Sequence, residues 1–350
     1  MNSRERVAAA LDFKRPGRVP RAESFWWETL EGFRAEGMPA EADPSDYFGL
    51  DVAKIYMDQT FALGERTIEE TDEYRIFSDG YGFVQKDWKH GQATPELIEF
   101  AVKSREDWFS TYREMNAYRP ERLRLEENRP LYEKARRAGR FVCLSMLGPF
   151  EQTWRKTGSV EQLVALAEDP EWMLDMYEAD TQMRLAAFEA FFEAGLEFDG
   201  VWMYDDVAYR NGPLISPRMY REFVMPFHRE VAEAVHARGG KLILHTCGNN
   251  NILVPLYIEA GVDCLQALEV KAGMDVRDLK REYGRELAFC GNIDARLFQE
   301  NDLPGLEVEI RGKLEVACEG GGYIFHSDHS IPRGTHLATY SRALEISEEF

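Results

Sequence analysis

Three short stretches carry residue types that can do chemistry. "LILHTCGNN", Leu242 to Asn250, runs from a buried apolar segment into small polar residues, with His245 and Cys247 two positions apart at the change. Successive strand side chains alternate between faces, so an imidazole and a thiol at this spacing point the same way if the strand reaches them. "VWMYDD" ends in Asp205 and Asp206, and "YIFHSDHS" ends in His326, Asp328 and His329. A thiolate with one or two imidazoles, gathered from neighbouring strand ends, is a zinc-type ligand set, and a coordination position left to substrate makes such a site catalytic. Each element also has a plainer reading. Adjacent acids at a strand end cap the next helix or face water, lone histidines form ordinary hydrogen bonds, and Cys143, Cys264 and Cys290 sit in apolar runs as small core residues.

Those strand ends need a scaffold that brings them together. From Asp199 onward, short apolar strands alternate with amphipathic helices: "DGVWMYDD", "KLILHTCG", "VDCLQALE", "ELAFCGNID" and "GYIFHSDHS" as strands. The alternation indicates parallel βα units with both faces of the sheet covered. One helix is marked by Ser216 as N-cap, Pro217 in the first turn and Gly239 at the stop, with Pro226 expected to kink it. Three more strands are expected near "RVPRAE", "DVAKIYMD" and "FVCLSMLG". Eight strands close a (β/α)8 TIM barrel, here with an inserted β-hairpin in the N-terminal half around "SDGYG". The rival open doubly wound sheet often carries a Gly-rich dinucleotide turn, which is missing. With no linker or repeat, residues 1–350 are expected to be a single barrel domain. Its chemistry belongs at the strand C-termini, where Tyr204, Asn249, Glu269 (after "AL") and Asp294 (in "CGNID") join the residues above as candidate substrate contacts.

Composition narrows the function classes. The 350 residues are 44% hydrophobic and 30% charged, enough for a large core, and the net charge of −20 disfavours nucleic-acid or membrane-surface partners. No signal peptide is expected, and no bilayer-spanning run, P-loop, G-x-S-x-G elbow or H-E-x-x-H helix is found in these residues. Five scattered cysteines suit a reducing compartment, so a cytoplasmic enzyme is expected. A glycosidase-like acid pair, Asp205 or Asp206 with Glu269, is compatible with the pattern but leaves His245 and Cys247 unexplained.

The segments "MNSRERVAAALDFKRPGRVP", "DDVAYRNGPLISPRMYREFVMP", "KLILHTCGN", "AFCGNIDA" and "GGYIFHSDHSIP" together resemble the uroporphyrinogen decarboxylase superfamily, over nearly the whole chain. That superfamily includes a heme-pathway decarboxylase and zinc-dependent cobamide methyltransferases. The decarboxylase carries an Arg-Gln-Ala-Gly-Arg grip on substrate carboxylates, whereas the corresponding region here reads "RVPRAESFWWETLEGF". The resemblance therefore implies the methyltransferase branch. Zinc would sit at His245 and Cys247, with a third ligand at His329 where the family has a cysteine. The implied activity is methyl transfer between a corrinoid and a small thiol or a methoxyl- or methylamine-type substrate. No D-x-H-x-x-G cobalamin motif is present, so methylcobalamin or a separate corrinoid protein would deliver the corrin. Asp205 or Asp206 would act as supporting acid or fourth ligand. Geometry alone would pair His326 with Asp328. The resemblance instead selects His329, with Asp328 orienting a histidine by accepting its ring N–H. The alternatives are a decarboxylase of another carboxylate substrate and a barrel that binds a ligand without turnover.

Overall fold

A computed structural model describes residues 1–89 and 95–350. Seven parallel strands form one sheet: Val52–Tyr56, Phe141–Leu147, Gly200–Tyr204, Lys241–Thr246, Cys264–Ala267, Ala288–Gly291 and Tyr323–Ile324, hydrogen-bonded in that order. The ring is completed by the extended segment around Arg21, the "RVPRAE" strand in its expected place. Phe325 donates its backbone N–H to Pro20 and accepts from Ala22, while Asp51 donates to the Arg21 carbonyl. The eighth position is thus a run of bridges rather than a regular ladder. Pro20 belongs to this segment and, lacking an N–H, takes part only through its carbonyl.

Two apolar clusters divide the core. One lies between the sheet and the surrounding helices; the other fills the barrel and includes Val52, Cys143, Trp202, Ile243, Cys264, Cys290 and Ile324. The three cysteines are fully buried, as their apolar runs suggest. The helix Ser3–Leu11 plugs the lower end with Val7 and Leu11, held by Arg4 N–H to the Gly139 carbonyl and Gly322 N–H to the Ala10 carbonyl. Above the apolar filling, register sets a polar layer. Tyr204 pairs with His245 and His245 with Gln266 across adjacent strands, so these side chains meet at the C-terminal rim.

The expected hairpin, Tyr74–Ser78 with Val84–Trp88, is present and is flanked by Arg66–Glu70 and Glu96–Glu99 to make a four-stranded antiparallel sheet. Those flanking strands are exposed along their length and lack the apolar alternation that makes a strand legible. Pro226 has the expected local effect: Pro217–Met219 continues into a π-turn, Tyr220–Val224, before Met225–Ala237. A proline cannot donate to the carbonyl four residues back, and the wider turn relieves the clash. Among the described residues, no helix is long and apolar enough to cross a membrane.

Candidate metal centre

At the barrel's C-terminal rim a cavity of about 360 Å³ is lined by residues that include Asp206, His245, Cys247 and His329. The strand Lys241–Thr246 sets His245 facing inward; Cys247 follows on the same side, as alternation requires. The chain then turns through Gly248, at φ +81°, where a Cβ would lie 2.6 Å from the Tyr209 carbonyl oxygen. Glycine is needed there, and the turn leaves the thiol at the cavity wall.

Cys247 is shared by two triads of donor atoms. One joins it to Asp206 and His245, the other to Glu269 and His329, all atoms within a triad lying within 4.8 Å of one another. The Cys247 Sγ is 3.4 Å from His245 Nε2, which is 3.6 Å from Asp206 Oδ1. Tetrahedral zinc with ordinary N, O and S bond lengths separates its ligand atoms by roughly 3.3–3.6 Å, so this donor set fits the ion. The expected triple of His245, Cys247 and His329 does not close as one group; the two histidines belong to different triads that share the thiol. Asp206, one of the two acids expected as supporting acid or fourth ligand, completes the first triad, and Glu269, expected as a substrate contact, completes the second.

The surroundings favour a cation. His245 Nδ1 faces the Gln266 side-chain oxygen, an acceptor, which makes Nδ1 the protonated nitrogen and leaves the Nε2 lone pair toward Cys247. Burial lowers the His245 pKa, keeping the ring neutral. Burial, then the Asp206 and Glu269 carboxylates, push the Cys247 thiol well up. Without a positive charge it stays protonated. Asp206 also accepts the Cys247 backbone N–H at 2.7 Å, and Glu269 that of Gly248 at 3.3 Å, tying both acids to the ligand loop. Tyr204 covers His245 with ring centroids 4.8 Å apart. The His329 imidazole stacks against Trp26, and burial and Lys271 lower its pKa.

Four expected site residues serve the scaffold instead. Asp205 is fully buried behind the strand end, its carboxylate held by His228 Nε2 at 2.6 Å and the Glu151 N–H at 2.6 Å. Asp328 does not orient a histidine: its oxygens accept the Val270 and Ala295 backbone N–H groups. Asp294 caps the helix Ala295–Glu300 and pairs with Arg296. Asn249 braces its own loop through the Ala272 carbonyl and the Asn251 N–H. Each meets an unsatisfied backbone group at a strand-to-helix turn, the usual employment of Asp and Asn there.

Three residues of the cavity region carry no sequence motif. Gln266 and Lys54 are polar interruptions of apolar strands at inward positions, "CLQA" and "VAKIY", and that was their available signal. Glu23 lies beneath His326: its carboxyl accepts from the Ser24 and Ser327 N–H groups and the Ser327 hydroxyl, and burial raises its pKa to about 8. His326 donates Nδ1–H to the Ser327 carbonyl, and burial holds it neutral, down to about 3.

A family model described as uroporphyrinogen decarboxylase (URO-D) matches residues 156–350, more than half of the chain. The chain belongs to that family. A methylated-thiol–coenzyme M methyltransferase of Methanosarcina mazei is 32% identical over 94 residues, 27% of this chain and 24% of that protein. A uroporphyrinogen decarboxylase of Shewanella amazonensis is 28% identical over 124 residues, 34% of each chain. The chain thus spans a quarter to a third of the length of these relatives. A solved methyltransferase from Methanosarcina mazei superposes over 100% of this chain and 99% of its own, with a TM-score of 0.68 at 19% identity, a likeness of fold.

Proposed function

We propose that this protein is a metal-dependent methyltransferase, moving a methyl group between a corrinoid and a small thiol or a methoxyl- or methylamine-type substrate. The observation that carries the reading is the half-buried Cys247 thiol, shared by an Asp206–His245 pair at zinc-ligand spacing and a Glu269–His329 pair within 4.8 Å. Zinc bound there would supply the charge that makes a thiol a thiolate, and would polarise a sulfur, oxygen or nitrogen bearing the transferred methyl. The chain's own residues do the rest. Gln266 fixes the His245 tautomer, Asp206 anchors the ligand loop through the Cys247 N–H, and Tyr204 and Trp26 shield the two imidazoles. The methyltransferase relative agrees with this reading.

Decarboxylation of a porphyrinogen is disfavoured by what the N-terminal arginines do. Arg18 is committed to Asp51 by contacts at 2.8 and 3.1 Å, and Arg21 to Ser347, the Leu344 carbonyl and Glu348. Neither is free to grip substrate carboxylates. The direct test is incubation of zinc-loaded protein with methylcobalamin and a panel of thiols, followed by corrin absorbance. Protein-dependent loss of methylcobalamin with at least one thiol is expected. No loss with any thiol, together with conversion of uroporphyrinogen to coproporphyrinogen, would replace this reading with the decarboxylase.

A further inference from the structure

The cavity beside the metal centre adjoins a second one of about 450 Å³, and Ser24, Lys54 and Tyr204 line both. Four cationic side chains line the joined space, and three have a carboxylate. Arg155 pairs with Glu151 at 2.6 Å, Lys134 with Asp43 at 2.7 Å, and Arg140 with Asp46. Lys54 differs. Its ammonium donates to the Tyr204 hydroxyl at 2.9 Å and lies 3.9 Å from the Trp202 ring centroid, and among the described residues no carboxylate forms an ion pair with it. The Glu23 carboxyl feels the Lys54 charge but forms no ion pair with it; its oxygens are taken by Ser24, Ser327 and His326 Nδ1 at 3.1 Å, and burial raises its pKa to about 8.

A half-buried ammonium resting on an indole and a phenol is held in place but not neutralised. The Tyr204 hydroxyl accepts from Lys54, so its own hydrogen remains to donate beside the ammonium. Together they present a positive charge and a second donor to the same space, a recognition pattern for an anionic oxygen group. Tyr204 also touches His245, which places this pair one side chain away from the metal donors.

We infer that Lys54 is a specificity-determining residue, holding the anionic tail of a short substrate whose reacting end reaches Cys247 and its neighbours. The identity of the reacting end rests on the methyl-transfer reading; the selection of an anion does not. The experiment is calorimetric titration of zinc-loaded protein with 3-mercaptopropionate and with the neutral 3-mercaptopropan-1-ol, for wild type and Lys54→Met. Wild type is expected to prefer the carboxylate by about tenfold or more, the scale of one charge-assisted hydrogen bond in a partly dry site. Lys54→Met should bring the two ligands to parity while leaving the affinity for the alcohol and the zinc content unchanged. Lys54→Gln repeats the measurement should the Met variant fail to fold. Equal binding of the two ligands by wild type, no binding of either, or a preference that survives both substitutions overturns the assignment. Methylcobalamin turnover is a separate readout: a preserved preference without turnover sinks methyl transfer and leaves the anion site standing.

Discussion

Asp205 and Asp206 are neighbours in sequence and belong to different regions of the molecule. Asp205 turns away from the cavity into a closed network of His228, Tyr220 and the start of the helix Pro149–Thr157. Packing there is tight enough that a Cβ on Gly148 would sit 2.2 Å from the Asp205 carboxyl carbon. Asp206 turns inward, more than a third of its side chain exposed, with an imidazole and a thiol as neighbours and open space beyond. Both acids sit among titratable groups. The difference is that one cluster satisfies itself and the other leaves donors aimed at a cavity, and the second condition marks a site.

The comparison is broken most severely at the shared ligand. Cys247→Ala should remove bound zinc and methyl transfer entirely while leaving the thermal unfolding midpoint near that of wild type, as read by elemental analysis and calorimetry. Asp206→Ala should leave stability nearly untouched and weaken zinc binding by about 10–100-fold. Zinc retained in full by both variants would place the metal elsewhere.

Asp205→Ala should do the reverse. Removing it strands His228 and the Glu151 N–H in a dry interior, at a cost of about 3–5 kcal/mol in denaturant unfolding. The protein that remains folded should still bind zinc. Loss of zinc with unchanged stability would move Asp205 into the site.

The sequence left Asp205 and Asp206 as alternatives; in the structure Tyr204 and Asp206 line the cavity, as His245 and Cys247 do one strand over. The barrel order and the same-face His-x-Cys pair were legible, because period-2 patterning and apolar runs encode them locally. The remainder was not. Whether Asp294, Asp328 or Asn249 caps a helix or meets a ligand depends on where the neighbouring strand's loop turns, which no local pattern reports. The exposed flanking strands Arg66–Glu70 and Glu96–Glu99 carry no buried face to betray them.

Smaller effects sharpen the same contrast beneath the cavity. The Glu23 carboxyl titrates near 8 in the folded chain against an ordinary value of 4.5. Between those values the folded state holds the extra proton, so this group's contribution to stability is full below about pH 4.5 and is lost as pH rises toward about 8. Glu23→Gln should flatten that limb of the stability–pH profile; an unchanged slope would mean that Glu23 is ionised when buried. The smallest change is expected at Cys264, a core filler: Cys264→Ala should keep full zinc and cost about 1 kcal/mol through a small cavity.

The central claim is that a single thiol, Cys247, anchors one metal ion among imidazole and carboxylate donors. X-ray absorption at the zinc edge of reconstituted wild-type protein tests it directly. About one zinc per chain is expected, with one sulfur near 2.3 Å and the remaining ligands nitrogen or oxygen near 2.0–2.1 Å. A chain that takes up no transition metal, or zinc whose shell contains no sulfur, would contradict it.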